Sequence, residues 1–241
     1  MRGGWTLCYQ VLCLHPPPLY DPVFLILQGN SPLTNPGPLP RITLVVATGN
    51  PGKFNEIAAL LQGLKVLLVP LDRVGPIEVP PEGGESFQEN ACRKAEAVAR
   101  ASGQLALADD SGLEIDALGG RPGVLSSRFG GPQATDADRN ALVLELLRDI
   151  PPEARTARFR CVVAIADSRG EVRVAEGVCA GRITFAIQGS HGFGYDPIFE
   201  IPFLGKTFAE IPPEVKNRLS HRAQAMAGAR AILEGILAVR A

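Results

Sequence analysis

Along most of the chain the apolar positions follow either a strand or a helix period, and the switches between the two mark out the elements. Ile42-Thr43-Leu44-Val45-Val46-Ala47 is a continuous β-rich run, the pattern of a strand buried on both faces. Thr48-Gly49-Asn50-Pro51-Gly52-Lys53 breaks it, and Phe54, Ile57, Ala58 and Leu61 then recur at helical spacing until Gly63. Lys65 to Val69 reads as a second strand, followed by a Pro- and Gly-rich acidic loop through Glu82-Gly83-Gly84-Glu85. Ser86-Phe87-Gln88-Glu89 is a capping box, and Phe87, Ala91, Ala95 and Val98 form the apolar stripe of a helix ending near Gly103. Asn90, Lys94 and Ala97 fall on an adjoining stripe. Leu105-Ala106-Leu107-Ala108 predicts a strand that stops at Asp109-Asp110-Ser111-Gly112.

The second half begins with Ala117-Leu118-Gly119-Gly120-Arg121-Pro122-Gly123, too glycine-rich for the interior of an element. Thr135-Asp136-Ala137-Asp138 starts a helix through Leu147 that is closed by Pro151-Pro152 and reads as scaffold. Thr156 to Asp167, the turn Ser168-Arg169-Gly170, and Glu171 to Cys179 predict a β-hairpin that adds antiparallel strands. A loop from Gly189 to Pro197 follows. Lys216 lies in a short helical stretch, and Ser220 caps a last helix with Met226, Leu233 and Leu237 toward the core. Strands alternating with helices place the chain in the α/β class.

Composition adjusts this picture at one end. Residues 1–40 carry eight of the 21 prolines and only two charged residues, Arg2 and Asp21, so they are set apart from a domain spanning 41–241. Cys8 to Leu14 is too short and too quickly interrupted by His15-Pro16-Pro17-Pro18 for a signal peptide, and Val23 to Leu27 is too short to span a membrane. The segment is expected to be disordered or to arise from an upstream start codon. A formal net charge of -1 over 241 residues removes the basic footprint of a non-specific nucleic-acid binder. Any polyanionic ligand must therefore be met by local charges. The five cysteines, Cys8, Cys13, Cys92, Cys161 and Cys179, show no metal-ligand spacing and fit reduced thiols in the cytoplasm.

The candidate chemistry sits at the breaks. Asp109-Asp110 reads either as carboxylates delivered by a strand, able to hold a metal and a water, or as a solvated turn. The 48–53 loop, entering a helix with Lys53 in its first turn, suits a phosphate cradle or a plain turn; it matches neither GxGxxG nor GxxxxGK[ST]. Glu82, Glu85 and Lys94 are candidate ligands or solvated charges. Phe193 and Tyr195, with Asp196 among glycines, suit a planar ring. His221 and Arg222 begin a helix, where two cations are unfavourable unless an anion compensates them.

Taken in order, these segments resemble one family over residues 41–241: the non-canonical purine nucleoside triphosphate pyrophosphatases, also called inosine triphosphate pyrophosphatases or Ham1-like proteins. The resemblance rests on Thr48 to Lys53, Phe87-Gln88-Glu89-Asn90-Ala91 with Lys94, and Ala108 to Leu113 with Ala117-Leu118-Gly119-Gly120. Phe193-Gly194-Tyr195-Asp196-Pro197, Lys206-Thr207 and Ser220-His221-Arg222 complete it. It implies a mixed sheet flanked by helices, two lobes with a nucleotide-binding cleft between them, and a homodimer. It also implies Mg2+-dependent hydrolysis of ITP, dITP and XTP to the monophosphate and pyrophosphate. Asp110 is then the general base and a metal ligand, Glu82 the second metal ligand, and Asp109 a supporting neighbour. Thr48, Gly49, Asn50, Pro51, Gly52, Lys53, Lys94 and Ser111 bind the triphosphate. Phe193, Gly194, Tyr195, Asp196, Lys216, His221 and Arg222 enclose the nucleoside and read its base. Two alternatives are a Maf-like pyrophosphatase for modified or pyrimidine nucleotides and an inactive nucleotide sensor.

Overall fold

The computed structural model describes residues 42–83 and 85–240. The expectation for residues 1–40 lies outside them, as do Cys8 and Cys13. Seven strands form one mixed sheet: β1 (Ile42–Val46), β2 (Val66–Pro70), β3 (Leu105–Ile115), β4 (Thr156–Ala166), β5 (Val172–Ile183), β6 (Phe199–Ile201) and β7 (Lys206–Thr207). Their order is β2-β1-β3-β4-β5-β6-β7, with β1 parallel to both its neighbours and every other pairing antiparallel. The helices are α1 (Pro51–Leu60), α2 (Phe87–Ser102), α3 (Asp136–Leu146), α4 (Pro213–Leu219) and α5 (His221–Arg240).

The two periods in the sequence become the two faces of this sheet. On one face Leu105 and Leu107 pack with Ile57 of α1, Leu61 just past its end, and Met226 and Leu233 of α5. On the other, Ala106 and Ala108 meet the α2 stripe of Phe87, Ala91, Ala95 and Val98. The small alanines let α2 lie close against the strands. Farther along the first face, Leu113, Ile115, Phe159, Phe199 and Phe208 form a separate core with Val143 and Leu147 at the end of α3. These two cores on one face are spanned by the long strands β3 and β4. Asp109 and Ser111 fall between the two cores.

Several expectations are corrected. The strand that was to stop at Asp109 continues to Ile115, because β4 pairs with it antiparallel from Ala106 to Ile115. The parallel neighbour is the one that stops: β1 reaches only Leu107, where Ala47 donates to the Leu107 carbonyl at 2.7 Å. Gly112 is a strand residue rather than a turn residue, paired with Arg160, and it is glycine because a Cβ there would run into the Gly123 carbonyl, Ser126 Oγ and Phe87. The glycine-rich segment after β3 folds back onto that strand, with Glu114 bridging to Pro122. Ser86 does accept from the Glu89 N–H at 3.1 Å, but the Glu89 carboxylate returns to the Glu85 N–H, so half of the capping box is displaced by one residue.

Candidate active site

Where β1 ends, the edge of β3 has lost its strand partner and is met by side chains. Adjacent residues of a strand point to opposite faces, so Asp109 and Asp110 enter two different environments. Asp110 faces α2. Its Oδ2 accepts from Asn90 Nδ2 at 2.9 Å and its Oδ1 lies 3.4 Å from Lys94 Nζ. Lys94 Nζ also donates to Glu82 Oε1 at 2.9 Å and to the Asp109 carbonyl at 2.7 Å. The adjoining helix stripe thus delivers Asn90 and Lys94 together, both buried.

Asp109 faces α1 and α5, and its side chain is wholly buried. Its Oδ2 gathers Lys53 Nζ at 3.2 Å, Arg222 Nη2 at 3.1 Å and the Ser111 hydroxyl at 3.3 Å. Arg222 Nη2 donates in turn to Ser111 Oγ at 2.9 Å, and Nη1 pairs with Glu56. Glu56 also holds Lys216 Nζ at 2.8 Å, and Lys216 reaches Asp196 Oδ2 at 2.6 Å. A belt of alternating charges therefore runs through the site, with Glu82, Asp110, Asp109, Glu56 and Asp196 against Lys94, Lys53, Arg222 and Lys216.

The two adjacent carboxyls are driven apart electrostatically. Burial raises the Asp110 carboxyl above its ordinary value; Lys94 opposes this and Glu82 reinforces it. Burial also acts on Asp109, but Lys53, Arg222 and Lys94 outweigh it and hold that carboxyl well below the usual carboxylate range. Such divergence separates a group able to take up a proton from one fixed as an anion. Burial of Glu82 is likewise outweighed, by Lys94 first, so it stays ionised. His221 is fully enclosed and stacks on Phe159 at 4.6 Å, and burial, with Arg222 and Lys216 nearby, depresses it well below its ordinary value. The helix start that carries two basic residues therefore holds one cation, compensated by Asp109 and Glu56.

The loop before α1 is built as its composition suggests. Asn50 caps the helix, accepting from the Lys53 N–H at 3.1 Å, and donates its own N–H to Thr48 Oγ1 at 3.2 Å. Pro51 opens the helix; Gly49, Asn50 and Pro51 are exposed. Gly52 is required by the aromatic loop, since a Cβ would lie 2.8 Å from Phe193 Cδ1. The Phe193 ring lies 4.8 Å from Lys216 Nζ and 5.6 Å from the Arg222 guanidinium carbon. Tyr195 is not brought to this cluster: it is buried, and its hydroxyl donates to the Ser126 carbonyl at 2.8 Å. Asp196 is also buried and acts on the loop from within, accepting from the Phe193 N–H at 2.8 Å. Glu56 was missed in the sequence; its spacing from Lys53, one helical turn, was the available signal.

Glu82 and Asp110 are the oxygen donors suited to a divalent cation. Both carboxylates already converge on one cationic point, the Lys94 ammonium. Among the described residues no group of three or more His, Cys, Asp or Glu side chains forms a ready metal cluster. Two carboxylates with further ligands from phosphate and water is the arrangement that Mg2+ accepts. Asp109 Oδ1 is buried without a hydrogen-bond partner. Two small cavities of about 80 and 100 Å³ lie at the far end of β3, beside Leu105 and Asp167, away from these groups. No helix among the described residues is long and apolar enough to cross a membrane.

Comparison with known proteins identifies the family and the fold. Residues 44–232 match the Ham1 family. A dITP/XTP pyrophosphatase of Desulforamulus reducens is 48% identical over 190 residues, covering 79% of this chain and 94% of the relative. One of Thermus thermophilus is 49% identical over 191 residues, covering 79% and 90%. Among solved structures, a HAM1 protein from Coxiella burnetii superposes with a TM-score of 0.74 at 40% identity, over 80% of this chain and 99% of that one.

Proposed function

Because the chain belongs to the Ham1 family, we propose that it is a nucleoside triphosphate pyrophosphatase that hydrolyses dITP, ITP and XTP to the monophosphate and pyrophosphate. The observation that carries this reading is the pair Glu82 and Asp110 held on either side of Lys94, at the point where β1 ends and the edge of β3 loses its strand partner.

A triphosphate carries roughly four negative charges at neutral pH, and phosphoryl chemistry depends on positioning and on charge stabilisation. Lys53 and Lys94 are the lysines nearest the carboxylates, and the 48–52 backbone at the start of α1 adds the positive end of a helix dipole. Ser111 sits between Asp109 and Arg222 on the same strand edge. Glu82 and Asp110 would hold Mg2+, and the ion would supply charge neutralisation for the triphosphate. Asp110 orients a water and takes its proton as the water oxygen bonds to phosphorus; the α–β phosphoanhydride breaks and pyrophosphate leaves. General-base assistance of this kind is worth about a hundred- to ten-thousand-fold.

Base choice falls to the other end of the belt. Hypoxanthine and xanthine present a carbonyl acceptor where adenine presents an amino donor, and Arg222 offers donors only. A site of buried polar groups rejects a mismatched partner by up to ~10^4-fold. Arg222 directs its donors to Glu56, Asp109 and Ser111, so reading a base exchanges one of these acceptors for the carbonyl. Lys216 and His221 line the same end, and Phe193 offers its ring. A cytoplasmic homodimer completes the proposal.

The test is Mg2+-dependent pyrophosphate release from dITP, ITP and XTP, run beside dATP, dUTP, TTP and a methylated GTP. Release from the deaminated purines is expected to dominate. Preference for the pyrimidine or methylated nucleotides would favour a Maf-like activity, and binding without any release would leave a nucleotide sensor.

A further inference from the structure

We propose that Asp136 and Asn140, on the first turns of α3, form a positioning clamp that sets the Phe193 ring against the nucleoside end of the site; the inference rests on the hydrolytic reading above. Gly194 is gripped at both of its backbone polar atoms. Its N–H donates to Asp136 Oδ2 at 2.7 Å, and its carbonyl accepts from Asn140 Nδ2 at 2.9 Å. On the other side of the ring, the Phe193 N–H donates to Asp196 Oδ2. Gly194 has a φ of +62°, left-handed backbone that glycine adopts without strain and that turns both of its groups toward one helix. With the peptides on either side fixed, Phe193 retains side-chain rotation alone, and its ring rests over Gly52 beside Lys216 and Arg222.

Three features separate this arrangement from ordinary scaffolding. Asn140 lies on the buried face of α3 one turn from Val143, in a position an apolar side chain would fill. Its Oδ1 has no hydrogen-bond partner there, so only the donor end of the amide, directed at Gly194, is satisfied. Asp136 is itself held by Arg139, which also donates to the Ser127 carbonyl at 3.2 Å. Tyr195 ends on the neighbouring Ser126 carbonyl. The residues flanking Phe193 are thus tied to one helix turn and to the segment that presses on Gly112 of β3. Locking a contact residue through such outer hydrogen bonds is how a site keeps its geometry within a fraction of an ångström.

The test separates the nucleoside end from the phosphate end. In the full chain, Asn140→Leu removes the donor at similar volume, Asp136→Ala removes the acceptor at a half-exposed position, and Asp136→Asn keeps an acceptor. For each, kcat, KM for dITP, the thermal midpoint, and inhibition by dIMP and by inorganic tripolyphosphate are measured. We expect dIMP inhibition to weaken about tenfold in Asn140→Leu and Asp136→Ala, with KM rising in parallel, as when one or two hydrogen bonds are lost. Tripolyphosphate inhibition should stay within about twofold, and Asp136→Asn should lie near the wild type. Equal weakening of both inhibitors, or a lower thermal midpoint with unchanged inhibition, would overturn the clamp. If Asn140→Leu does not fold, Asp136→Ala alone decides. Absence of pyrophosphate release by the wild type would remove the hydrolytic reading instead, and calorimetric dIMP binding would still report on the clamp.

Discussion

Replacing Asp109 by Asn probes the part of the belt that carries the most charge in the least water. The Asp109 side chain has no exposure, and its Oδ2 receives Lys53, Arg222 and Ser111. An amide of the same shape keeps an acceptor but withdraws the charge that balances two buried or nearly buried cations. Removing one partner of a buried ion pair typically costs about 3–5 kcal/mol, because the other charge is left uncompensated. Here the lower figure applies. Arg222 keeps Glu56, and Lys53, at 17% exposure, can turn toward water. Urea unfolding at neutral pH without nucleotide should therefore show Asp109→Asn about 3 kcal/mol less stable than the wild type. For a domain of this size that corresponds to a thermal midpoint lower by roughly 6–12 °C. Adding Lys53→Met should recover part of the loss, since the second change removes a charge the first left unpaired. A variant within roughly 0.5 kcal/mol of the wild type, or a double variant whose costs simply add, would refute Asp109 as the anion that holds this end of the belt.

Three further outcomes follow from neighbouring residues. His221 is neutral in the folded state but has an ordinary value in the unfolded chain, so below about pH 6.5 the unfolded state binds the extra proton and stability falls as pH falls. Between pH 6.5 and 5.5 the loss should approach ~1 kcal/mol in chemical denaturation, and this component should vanish in His221→Phe, which keeps the stack on Phe159; an unchanged pH slope would contradict it. Gly112→Ala should destabilise by about 1–3 kcal/mol through overpacking against the Gly123 carbonyl, Ser126 and Phe87, whereas a neutral effect on the urea midpoint would show that β3 has room there. Pyrophosphate release from dITP should cease on chelation with EDTA and return with added Mg2+; persistence in EDTA would count against Glu82 and Asp110 as metal ligands.

What was legible in the chain was mostly local. The α2 stripe of Phe87, Ala91, Ala95 and Val98 packs as its spacing requires, and the same spacing brings Asn90 and Lys94 to Asp110. The opposite facing of Asp109 and Asp110 follows from strand geometry alone. What failed depended on partners distant in sequence. Ser111-Gly112 has the composition of a turn, but β4 pairs through it, and the glycine answers a carbonyl eleven residues later. Tyr195 has the composition of a base-stacking residue, yet a carbonyl at Ser126 draws its hydroxyl into the core. The electrostatic objection to His221-Arg222 at a helix start is met by Glu56 and Asp109, contributed by α1 and β3. Asp136 and Asn140 looked like scaffold because their partner is a backbone peptide, which no side-chain pattern records.

The most direct measurement is pyrophosphate release from dITP by Asp110→Asn beside the wild type, with circular dichroism and the thermal midpoint recorded on the same samples. Asn preserves the shape at Asp110 and can still accept from Asn90, but it can neither take the proton of water nor offer a carboxylate to the metal. Turnover should fall by at least about a hundredfold, the low end of general-base assistance, while the fold is retained. Near-wild-type turnover in the folded variant would contradict the assignment of Asp110 and the chemistry built on it.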